Sequence, residues 1–74
     1  MAGATARGAS FGPYVTLGPG AVVEPGAHVE RSVLMDGVVV EREATVVSSL
    51  LGPKVRVRAG HRVQGQVLGE GVEA

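Results

Sequence analysis

Residues 17–33 read LGPGAVVEPGAHVERSV, residues 34–50 read LMDGVVVEREATVVSSL, residues 51–67 read LGPKVRVRAGHRVQGQV, and a partial unit, LGEGVEA, fills 68–74. The complete units align without gaps on a period of 17. The first and second share eight identical positions, and the first and third share seven. A fixed internal period means that each unit buries its apolar side against the unit before and after it. Each unit divides again into 6 + 6 + 5 residues, and every segment opens on an aliphatic side chain: Leu17, Val23, Val29, Leu34, Val40, Val46, Leu51, Val57, Val63 and then Leu68.

Four residues after each opener the side chain is again small or aliphatic, at Ala21, Ala27, Val33, Val38, Ala44, Leu50, Val55, Val67 and Val72, with His61 the exception. Both positions are expected to face one interior. Turn formers lie between them: Gly18-Pro19-Gly20, Glu24-Pro25-Gly26, Asp36-Gly37, Gly52-Pro53, Ala59-Gly60 and Gly69-Glu70-Gly71. Glycine as the third turn residue, at 20, 26, 37, 60 and 71, points to a backbone with positive φ there.

Identical positions recurring at 17 require each short strand to sit in register above its predecessor, which makes the pairing parallel rather than a series of hairpins. Coils stacked about 4.7–4.9 Å apart place Leu17, Leu34, Leu51 and Leu68 in one internal column. Val23, Val40 and Val57 form a second, and Val29, Val46 and Val63 a third. Three columns make a three-sided prism of about three to four coils, with one corner trimmed in every coil. Upstream, Phe11-Gly-Pro-Tyr-Val15-Thr fits one more six-residue segment, and Thr5-Ala-Arg-Gly-Ala9-Ser fits a degenerate one. Residues 1–10 are therefore read as a tail or degenerate repeat, with 1–4 frayed, and 11–74 as the solenoid.

Composition agrees and narrows the function classes. Fifteen valines and prolines at 13, 19, 25 and 53 oppose helix, and the apolar residues show no 3.6-residue spacing. Seventy-four residues make one small domain, too short for a large self-contained enzyme. Seven basic residues balance seven acidic ones, which favours neither nucleic acid nor an anionic membrane as partner. The absence of cysteine excludes disulfides and thiolate metal sites. No apolar run approaches the roughly 20 residues needed to cross a bilayer, and the expected location is cytoplasmic.

Openers followed by Gly or an acidic residue, then Pro-Gly or Asp-Gly, then a small residue resemble the hexapeptide repeats of left-handed parallel β-helices. Within that class VERSVLMDGVVV, VVSSLLGPKVRV and VQGQVLGEGV resemble the C-terminal β-helix of bacterial sugar-nucleotide pyrophosphorylases, most closely mannose-1-phosphate guanylyltransferases and glucose-1-phosphate nucleotidyltransferases. The resemblance covers roughly residues 11–74. It implies an all-β, left-handed solenoid, and an oligomerising or regulatory module of an enzyme that joins a sugar 1-phosphate to a nucleoside triphosphate. Such enzymes carry their chemistry, with its magnesium, in a separate nucleotide-binding domain. None of those catalytic residues maps onto this chain, which is expected to hold no cofactor itself.

The same fold also includes acyltransferases with a histidine general base and carbonic anhydrases with three histidines on zinc. His28, at an outward position, is the candidate base of a small acyltransferase with its site between protomers. His61 is expected half-buried near an interior corner, and a third histidine for zinc does not exist. Lys54, Arg56, Arg58, His61 and Arg62 crowd one coil as a candidate anion site. Adding 17 to Glu41 gives Arg58, an expected pair on adjacent coils. Val22 and Val39 at outward positions, with Met35 and Val47 at turn positions expected to be exposed, are the interface candidates. The expected partners are a second copy or a nucleotidyltransferase catalytic domain.

Overall fold

The computed structural model describes residues 8–74 and holds eleven short strands in three parallel sheets, with no helix among the described residues. One face of the prism stacks β1 (Ser10–Phe11), β4 (His28–Glu30), β7 (Thr45–Val47) and β10 (Arg62–Gln64). The second stacks β2 (Thr16–Leu17), β5 (Val33–Leu34), β8 (Leu50–Leu51) and β11 (Val67–Leu68). The third stacks β3 (Val22–Val23), β6 (Val39–Val40) and β9 (Arg56–Val57), and Glu73 bridges to Arg56 beyond them. We call these the His28, Leu50 and Val39 faces.

The register is the one the period demands. Leu17 pairs with Leu34, Leu34 with Leu51 and Leu51 with Leu68. Val23, Val40 and Val57 stack on the Val39 face, and Val29, Val46 and Val63 on the His28 face. All of these except the half-buried Leu68 are buried. Ala21, Ala27, Ala44, Val38 and Val55 complete the core from the corners. The first coil is longer: Ser10 pairs with His28, an offset of 18, because residues 11–16 form a full six-residue side where later coils have five. Residues 1–7, which include the start of the degenerate segment, lie outside the described region.

The turn glycines take the expected left-handed backbone, with φ from 69° to 82° at Gly20, Gly26, Gly37, Gly60 and Gly71. The equivalent turn position is filled elsewhere by Tyr14, Glu43 and Lys54, at φ 61° to 62°. There the coil imposes a conformation that a side chain tolerates at a cost of about 1–2 kcal/mol.

The trimmed corner differs from expectation. Val33, Leu50 and Val67 do not face the interior; they are exposed, and Ser32 and Ser49 are buried in their place. Removing one residue shortens the turn, so the inward position comes three residues after the opener instead of four. Strand alternation then sends the next side chain outward and the following leucine inward. The turn itself takes positive φ at Arg31, Ser48 and Gly65.

Serine suits this corner because its hydroxyl serves two coils at once. Ser32 Oγ donates to the Glu30 carbonyl at 2.8 Å and accepts the Ser49 N–H at 3.1 Å. Ser49 Oγ repeats this with the Val47 carbonyl at 2.8 Å and the Gln66 N–H at 3.2 Å. Ser49→Ala should therefore cost about 1–3 kcal/mol, because the Gln66 N–H loses its acceptor and the Val47 carbonyl a donor. A urea titration checks this. Among the described residues, no helix is long and apolar enough to cross a membrane.

Candidate functional site

Each sheet of the prism sends alternate side chains outward, so each face carries its own set of surface groups. On the His28 face, β4 projects His28 and Glu30 from the same side of the strand, two residues apart. His28 Nε2 lies 2.9 Å from Glu30 Oε1. That hydrogen bond holds the Glu30 carboxyl below its ordinary value, the charges of His28 and Arg31 act in the same direction, and desolvation opposes them. Because the folded value is depressed, the contribution is present above the ordinary carboxylate range and disappears as pH falls through the folded value. Thermal melts from pH 7 to pH 3 should thus show an acid-side loss that is smaller in Glu30→Gln than in the unsubstituted chain.

For acyl transfer, this geometry leaves His28 with one ring nitrogen committed to its neighbour. In register with it stand Thr45 and Arg62. His61 is on another coil and is exposed, not half-buried as the sequence suggested, since its turn opens at a corner with no described coil covering it. No three His, Cys, Asp or Glu side chains come together among the described residues in an arrangement that could hold a metal ion.

The basic residues of the third coil do not converge. Arg56 projects from the Val39 face and Arg62 from the His28 face, with Arg58 and His61 beside the corner between them. Lys54 sits at a different corner, next to the Leu50 face. Glu41 pairs with Arg56, at 3.4 Å from Nε to Oε2, and not with Arg58. The reason is its other oxygen: Oε1 accepts the Ala59 N–H at 3.1 Å, which turns the carboxylate toward the next coil's backbone. Glu24 does the same for the Arg42 N–H at 3.1 Å. These glutamates tie one turn to the next.

The four interface candidates occupy three different places. Val22 and Val39 are half-buried neighbours on the Val39 face, continued by Arg56. Val47 is not an exposed turn residue as the sequence suggested: it closes strand β7 and is half-buried on the His28 face between Glu30 and Gln64, because the shortened turn begins only at Ser48. Met35 is exposed beside the Leu50 face. A larger uncovered apolar column stands on that face and escaped sequence reasoning: Val33 at 39% exposure, Leu50 at 40% and Val67 at 78%, with Met35 at 41% beside them. The signal for it was present in the missing residue of each third segment, which moves the serine inward and the aliphatic residue outward.

The chain is thus a stacked parallel solenoid with a 17-residue coil and a corner trimmed in every coil from the second on. The GMPPB C-terminal domain model matches residues 3–74. The chain belongs to that family. Neither a curated protein nor a solved structure matches it significantly. As a GMPPB C-terminal domain, the chain fits the left-handed β-helix expected at the C-terminus of a sugar nucleotidyltransferase, and it is a module of that class of enzyme. In this GMPPB C-terminal domain the side-chain hydrogen bonds of Glu24, Ser32, Glu41 and Ser49 go to backbone of this or the next coil. Those groups hold the stack; they are not gathered around a common point.

Proposed function

We propose that the chain acts as the C-terminal β-helix of a mannose-1-phosphate guanylyltransferase-like pyrophosphorylase, where it assembles or regulates the enzyme and performs no catalysis itself. The catalytic domain joins a sugar 1-phosphate to a nucleoside triphosphate and releases pyrophosphate in the cytoplasm. The observation that carries this reading is the family match over residues 3–74. It is supported by polar side chains spent on coil-to-coil bonds and by apolar side chains left on two faces, at Val22 and Val39 and at Val33, Leu50 and Val67. Magnesium, as the family resemblance implies, is assigned to the catalytic domain, and no step is placed on this chain.

Two measurements test the proposal. The chain incubated with GTP and mannose 1-phosphate should release no pyrophosphate, and turnover would overturn the non-catalytic role. Light scattering at micromolar concentration should give a mass above the 7.5 kDa of one chain. A monodisperse monomer would remove self-assembly from the reading and leave only docking to a catalytic domain.

A further inference from the structure

The Leu50 face combines two features that no other face shares. Its outward column runs Thr16, Val33, Leu50, Val67, one side chain per coil, and its last three members are exposed aliphatic groups. At the turns bordering the same face, Asp36 on the second coil and Lys54 on the third are both exposed, and neither joins an ion pair among the described residues. The charge also alternates along the prism. Residues 17–50 carry five acidic and two basic side chains, residues 51–67 four basic and no acidic ones, and residues 68–74 two acidic ones. Of these last two, Glu70 lies at the same border, opposite the uncharged Pro19 turn in the arrangement below.

We propose that this face docks a second copy of the chain in an antiparallel, two-fold arrangement whose axis runs along the strands between β5 and β8. This rests on the assembly role proposed above and assigns it a surface. The operation sets Val33 against Leu50 of the second copy and Leu50 against its Val33, with Val67 meeting Thr16 at either end. Asp36 then faces Lys54 of the second copy, and Lys54 faces its Asp36. Arg31 comes opposite Ser48, so that corner brings no like charges together. The basic third coil of each copy lies over the acidic coils of the other. An isologous contact of this kind is self-complementary by construction. A partner surface of a single sign would attract one of Asp36 and Lys54 and repel the other, which is why the pattern selects a second copy. Opposed charges set register and partner choice, while the apolar column supplies the area removed from water.

The test is sedimentation velocity on the whole chain and its variants, with far-UV circular dichroism as the control for folding. The unsubstituted chain should sediment as a dimer. Leu50→Glu should be monomeric with an unchanged β spectrum, since the side chain points outward. Asp36→Lys and Lys54→Asp should each weaken the dimer by roughly tenfold or more, because each sets like charges against one another across the two-fold axis. An equimolar mixture of these two variants should regain the dimer, now between unlike chains. A monomeric unsubstituted chain would remove the underlying assembly role. A dimer that survives Leu50→Glu, dissociates with Val39→Glu, or is not regained in the mixture would overturn this surface alone. If Leu50→Glu fails to fold, the mixing experiment still decides.

Discussion

Leu51→Ala should lower the unfolding free energy by about 2–5 kcal/mol. Leu51 has no exposed surface, and it stands in the column between Leu34 and Leu68, with a coil stacked on each side. Truncation there removes transfer energy and leaves a void that stacked coils cannot close, because their spacing is set by backbone hydrogen bonds and not by side-chain volume. Gly52 N–H to the Leu68 carbonyl, at 2.8 Å, and Met35 N–H to the Leu51 carbonyl, at 3.0 Å, hold that spacing on either side. A single core in a chain of this size rarely supplies more than about 3–5 kcal/mol, so the loss is comparable to the whole stability. A urea or thermal melt followed by circular dichroism should show Leu51→Ala largely unfolded at 37 °C. Leu68→Ala, at the half-buried end of the same column, should lose far less. Equal losses at the two positions would contradict a column whose centre is dry and whose end is wet.

Gly26→Val should cost about 2–4 kcal/mol, from backbone strain and overpacking together. Gly26 sits at φ 82°, and a Cβ placed there would lie 3.1 Å from Glu43 Cγ on the next coil. A β-branched side chain at positive φ is disfavoured by its own backbone, whatever the surrounding space. The reverse change one coil later should have the opposite sign. Glu43 occupies the equivalent turn at φ 61°, and Glu43→Gly relieves that strain and frees the space beside Gly26. Part of the gain is lost to the greater freedom of glycine in the unfolded chain, about 0.5–1 kcal/mol. Glu43→Gly should therefore leave the chain equally stable or slightly more stable in the same urea titration. A large loss in Glu43→Gly would mean that the carboxylate contributes something the turn geometry does not reveal.

Much of the architecture was legible because a solenoid writes its register into the chain. From Thr16 onward a residue and its counterpart 17 positions on are direct neighbours, so Leu17, Leu34, Leu51 and Leu68 announce their own column. The turn glycines were readable for a related reason: positive φ is a local demand, and residue type reports it. The surface was much less legible. Val33, Leu50 and Val67 look like core residues by composition, and only the shortened turn, which shifts strand alternation by one position, turns them outward. Glu41 was expected opposite Arg58 from spacing alone. The competing acceptor role toward the Ala59 N–H, which spacing does not express, rotates it toward Arg56.

By itself the order of residues determined the period, the three aliphatic columns, the parallel register and the kinship to the C-terminal domain of a nucleotidyltransferase, since each depends on which residue type recurs at which interval. Tertiary structure alone decided which side chains the prism leaves outside, that Ser32 and Ser49 bridge its coils from within, and that the candidate interface valines lie on different faces. The physical reason is that burial at a corner is set by the number of residues in the turn and by which backbone groups there still need a partner. Both become visible only when one coil rests on the next.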